Sequence, residues 1–165
     1  MPVANKAPKR TGYPPLGLIV SLQTMHDTLA KSILAFEAGL EVCNQPEDRV
    51  LVRKYMAALG PVLAKVAIGQ DVIADLTSIE RLFGNSWIVD DKPFQNAFKL
   101  WRQFKDEYER FALGAMTVNE RLSAMGLLQE FDAATASGDA EKMRQILMRI
   151  YVDSESIEKI TGNEG

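Results

Sequence analysis

The sequence predicts an all-α protein: an antiparallel bundle of about four helices followed by a small C-terminal helical unit. Three observations carry that expectation. Apolar residues recur at steps of three and four over long stretches. Nothing alternates with period two over a useful length. Between Asp90 and Leu113, six aromatics (Phe94, Phe98, Trp101, Phe104, Tyr108 and Phe111) follow spacings of four, three, three, four and three, which places them on one side of a helix.

Taken in order, residues 1–16 read as a flexible basic arm. They hold four of the seven prolines, a charge of +3 from Lys6, Lys9 and Arg10, and little apolar mass to repay ordering. A first helix is expected from Gly17 to Asn44. Leu18, Leu22, Met25, Leu29, Ile33, Phe36, Leu40 and Cys43 recur at a mean step of about 3.6 residues. Asn44 and Pro46 end it.

Glu47 to Leu59 reads as a second helix, with Glu47 and Asp48 in its first turn. Gly60-Pro61 predicts a break or sharp kink, because Pro61 lacks an N–H and crowds the preceding turn. A third helix would run from Pro61 to Phe83, burying Val62, Val66, Ile73, Leu76, Ile79 and Phe83, and Gly84-Asn85 would stop it. Ser86 to Val89 reads as an extended connector whose Trp87 and Val89 plug the end of the bundle. Asp90, Asp91 and Pro93 then start the aromatic helix, and Gly114 ends it. The bundle so defined covers residues 17–113.

Residues 117–165 make the smaller unit. Thr117-Val118-Asn119-Glu120 has the form of a capping box, and Gly126 closes the short helix behind it. Leu127 to Ala136 is the next helix. Ser137-Gly138-Asp139 turns the chain into Ala140–Tyr151, and a last turn spans Ser154 to Ile160. The marks Asn119-Glu120-Arg121-Leu122, Gly126-Leu127, Phe131-Asp132 and Gly138-Asp139 resemble a short helical module of small, uncharacterised bacterial proteins. That resemblance covers about a fifth of the chain. It implies a bacterial or phage source and no particular chemistry.

Composition narrows the function classes. A chain of 165 residues with 47% hydrophobic and 25% charged residues has the make-up of a soluble globular protein. Its net charge of −3 disfavours a general nucleic-acid binder. Residues 17–113 carry 11 basic and 13 acidic groups, while 114–165 carry 5 and 9, so acidity grows toward the C-terminus. One cysteine, Cys43, leaves no internal disulfide or thiolate zinc cluster. No apolar run approaches membrane-spanning length. The basic residues ahead of the apolar patch at residues 16–22 imitate a secretory signal. The patch is too short and lacks a cleavage site, so a cytoplasmic protein is expected.

Catalytic, cofactor and metal signatures are missing. The single histidine, His26, excludes paired Glu-x-x-His motifs. Asp71, Asp75 and Glu80 share a helix, and no second set of acids is identifiable to converge with them. His26 and Cys43 stand about 25 Å apart along one helix, too far for a nucleophile–base pair. Glycine-rich phosphate loops are absent. The expected function is therefore a non-enzymatic protein–protein interaction module (an adaptor, an inhibitor of antitoxin type or an assembly factor), binding another protein or a second copy of itself. Phe94, Phe98, Trp101, Arg102, Phe104 and Lys105 are its candidate partner-binding residues. The competing assignment buries those aromatics while the cations reach water. A nucleic-acid-associated regulator using the basic arm and the Lys99, Arg102, Lys105 face is the alternative. An enzyme or small-ligand carrier with a pocket inside the bundle comes third.

Overall fold

The computed structural model describes residues 16–162, with side chains from Ser21 onward; the arm expected over residues 1–16 lies outside that range except for Leu16. Among the described residues there are eight α-helices and no strand. Helices α1 (Leu16–Val42), α2 (Pro46–Ala67), α3 (Ile73–Gly84) and α4 (Gln95–Gly114) form the bundle, and a 3-10 turn over Lys92–Phe94 leads into α4. Helices α5 (Val118–Ala124), α6 (Leu128–Ala136), α7 (Ala140–Arg149) and α8 (Ser154–Thr161) form the C-terminal unit.

Successive bundle helices run antiparallel. The three-residue α1–α2 link demands it, and Arg49 fastens that corner by donating to the carbonyls of Leu40 and Cys43. Lys65 of α2 meets Asp75 of α3 at 2.8 Å, while Val72, just before α3, donates its N–H to the Tyr108 hydroxyl on α4. The seam between α1 and α4 is the tightest. Ser32, fully buried, donates to the Ala97 carbonyl at 2.9 Å. Two turns on, a Cβ at Gly39 would lie 2.6 Å from both Phe94 Cδ1 and the Pro93 carbonyl oxygen. Only a glycine lets the two backbones come this close.

Phe36 is the hub of the core that this seam creates. Its ring lies 5.1 Å from Phe98, 6.1 Å from Tyr55, and 6.3 Å from both Phe83 and Phe94, so all four helices and the 3-10 turn meet on it. Phe98 and Phe83 meet it in edge-on or tilted orientation, the arrangement ring quadrupoles favour. The chain of rings continues along α4 through Trp101, Phe104 and Tyr108. Burial pushes the Tyr108 phenol above the ordinary tyrosine range, so it remains a neutral donor to the Gln70 carbonyl.

Two expectations about the bundle are corrected. Helix α2 does not break at Gly60-Pro61; it continues to Ala67, and the chain turns at Gly69, whose φ is +70°. Residue 60 has no Cβ to clash with the proline ring, and both residues face solvent. An interior proline costs about 3 kcal/mol. Burying Leu59, Val62 and Val66 contributes roughly 1.5–3 kcal/mol each, so continuity wins. The turn at Gly69 is a Schellman end, with Gly69 N–H bonded to Val66 and Gln70 N–H to Lys65. The segment assigned to one helix over Pro61–Phe83 is thus the end of α2 and all of α3.

The second correction concerns the connector. It is Ile88 that packs against the core, while Trp87 and Val89 point away. Successive residues of an extended segment face opposite ways, so only one of the two sets could be inside.

The C-terminal unit has its own core of Leu122, Leu127, Ala134, Ile146, Leu147, Ile150 and Ile157. The capping box at Thr117 and Glu120 is formed, Asp139 caps α7, and Gly126 and Gly138 adopt positive φ at the ends of α5 and α6. Helix α7 ends at Arg149, two residues earlier than its apolar pattern suggests. The final turn is a full helix, α8.

Gly39→Ala tests the α1–α4 seam. Alanine gains about 1 kcal/mol in helix propensity, yet the clash with backbone at Pro93 gives a net loss of about 1–3 kcal/mol in denaturant unfolding. Wild-type or raised stability would show that the helices are farther apart.

Candidate partner-binding surface

The structure divides the six candidate binding residues. Phe94, Trp101 and Phe104 are core residues with at most 1% of their surface exposed. They offer nothing to a partner, because α4 is wrapped by α1 and α3 along its aromatic stripe and these rings fill that contact. Trp101 also spends its indole N–H on Glu80 Oε1, at 2.8 Å. Lys105 is half-buried and lies between Glu109, at 3.5 Å, and Glu80, at 4.0 Å. Phe98 and Arg102 remain near the surface, together with Lys99. Arg102 donates from Nε to the Phe98 carbonyl, which lays its aliphatic stem along α4.

Phe98 and Arg102 line an open groove of about 430 Å³ between α3 and α4. Phe83 and Phe98 supply its apolar lining, and Glu80, Asp91 and Arg102 its charged lining. Gly84 and Asp91, at the two ends of the α3–α4 connector, also line it. At the middle of that connector stands Trp87, 86% exposed.

The connector is held rather than loose. Asp48, in the first turn of α2 and 1% exposed, accepts the Val89 N–H at 2.9 Å and the Asp90 N–H at 3.0 Å, one on each carboxylate oxygen. With Ile88 packed on the core and Asp48 gripping the next two amides, the backbone that follows Trp87 is fixed. Sequence reading took Asp48 for a helix-start acid and Trp87 for a plug. Their real roles depend on a pairing 41 residues apart, for which no local pattern exists.

The remaining titratable groups lie near local partners or are buried. Asp75 pairs with Lys65, and Asp71 accepts the Ile73 N–H at 3.2 Å and lies 3.5 Å from the Tyr108 hydroxyl. His26 lies 3.5 Å from Asp27 on the same helix. Cys43 is buried. Among the described residues, no three His, Cys, Asp or Glu side chains come together as a metal ion would require. No described helix is long and apolar enough to cross a membrane.

The chain matches no protein-family model, no curated protein and no solved structure.

Asp48→Ala leaves the Val89 and Asp90 amides without their acceptor. Hydrogen exchange at those two amides should rise at least tenfold, and global stability should fall by about 1.5–3 kcal/mol. Unchanged exchange at both positions would remove Asp48 as the anchor.

Proposed function

We propose that this chain is a non-enzymatic, cytoplasmic protein–protein interaction module of bacterial or phage origin, and that its partner docks on the α3–α4 face with Trp87 as the anchor. The observation that carries the reading is a tryptophan left 86% exposed on a connector whose backbone is fixed by Asp48. A large exposed ring on a held connector, whose ends at Gly84 and Asp91 line an aromatic groove, has the character of a binding hot spot. Little backbone freedom is lost when it docks. Burying a side chain of its size contributes about 4–6 kcal/mol before the costs of association. Phe98 extends the apolar lining, and Arg102 supplies a charged contact of the kind enriched at interfaces.

The nucleic-acid alternative draws less support. Lys105 is engaged by two glutamates, and Arg102 shares its groove with Glu80 and Asp91, which would repel phosphate.

Native mass spectrometry of the gently purified full-length protein tests the proposal. A second polypeptide, or a second copy of the chain, should be bound to the wild type. Trp87→Ala should weaken that association by about 30-fold or more, the loss typical of a hot-spot residue. Met148→Ala, which removes another exposed apolar side chain far along the chain, should leave it intact. A bare monomer, or a complex indifferent to Trp87→Ala, would overturn this reading.

A further inference from the structure

Four helices of this protein end in the same hydrogen-bonded turn, with one residue in the left-handed region. Three use glycine there: Gly69, Gly126 and Gly138, at φ of +70°, +67° and +66°. The fourth, at the end of α7, uses Tyr151 at +58°, with its N–H bonded to Met148 and that of Val152 bonded to Leu147. A tyrosine in this conformation is strained where glycine would not be, so something must hold it.

What holds it lies on α4, across the boundary between the bundle and the C-terminal unit. The Tyr151 hydroxyl is 2.8 Å from Asp106 Oδ1 and 3.1 Å from Glu109 Oε2, both on α4. The Arg110 guanidinium covers its ring at 4.8 Å and pairs with Asp106 at 3.1 Å. Arg121 ties the same turn to the linker, donating to the carbonyls of Ile150 and Tyr151, of Met116, and of Gly114 at the end of α4.

The boundary itself is thinly joined. The bundle and the C-terminal unit have separate cores, and Met125 is the residue packed against both. The chain crosses between them only at residues 115–117. A small apolar contact with a few polar bonds is the kind of joint that opens at low cost, while each core remains packed.

We infer that Tyr151 is a latch. It holds the C-terminal unit closed against α4 through Asp106 and Glu109, and the unit swings as a rigid body on residues 115–117 when those bonds break. The strain at Tyr151 is then the cost of placing a hydroxyl where glycine would have none. Burial, and after it the bond to Asp106, raise the phenol far above the ordinary tyrosine range, so the latch keeps its proton through neutral and mildly alkaline pH.

Two variants separate a latch from a merely structural residue. Tyr151→Phe keeps the ring and the strain but removes both hydroxyl contacts. Tyr151→Gly removes the latch while relieving the turn, so it should leave the C-terminal core at least as stable as before. Spin labels at Arg53 on α2 and Glu141 on α7, both exposed, report the joint. The full-length wild type should give one narrow distance distribution. Each variant should add a longer, broader population, with the open fraction raised about tenfold or more, as expected for loss of a hydrogen bond to a charged group. Amide protection at Leu122, Leu147 and Ile150 should persist in both. The latch is overturned if both variants keep the wild-type distribution, or if Tyr151→Gly loses protection in the C-terminal core, which would make the side chain part of that unit's own folding.

Discussion

The contact of Gly39 with Pro93 and Phe94 sets the geometry of the bundle. With no Cβ in the way, α1 and the turn leading into α4 close to a separation that no other residue permits. That closeness lets Ser32 reach the Ala97 carbonyl and brings Phe36 within ring contact of Phe94 and Phe98. From Phe36 the core spreads to Tyr55 and Phe83, and so to α2 and α3. The aromatic residues of α4 are consequently core material first. What remains for a partner is the fringe of that packing.

This ordering explains which features could be read from the residues. The stripe of α1 was legible because one face of a long helix is buried along its length, and 3.6-residue periodicity records that directly. The capping box of α5 and the glycine ends of α5 and α6 are local, and they were legible for the same reason. Pro61 misled, because a local rule met a tertiary balance: its ring faces water while Leu59, Val62 and Val66 gain burial around it. The division of α4 could not be read either. Spacing placed six aromatics on one side, but whether α3 would cover all of that side depends on a helix whose start was misassigned.

The two residues that now carry the functional argument, Trp87 and Tyr151, were illegible for a different reason. Each breaks a local preference: a tryptophan faces solvent, and a tyrosine sits where the chain otherwise uses glycine. Carboxylates distant in sequence act at each: Asp48 holds the amides two and three residues after Trp87, and Asp106 with Glu109 contact the Tyr151 hydroxyl. Departures of this kind concentrate where a protein does something other than fold. Both sites couple a fixed backbone to a side chain that is not needed for the main core.

The measurement closest to the root of this account is the proton NMR spectrum around Gly39. If α1 lies against the 3-10 turn as described, the Gly39 α-protons will show strong nuclear Overhauser effects to the Phe94 ring and chemical shifts displaced by its ring current. Random-coil shifts for those protons, with no cross-peak to Phe94, would contradict the seam on which the core, the α3–α4 groove and the placing of Trp87 all depend.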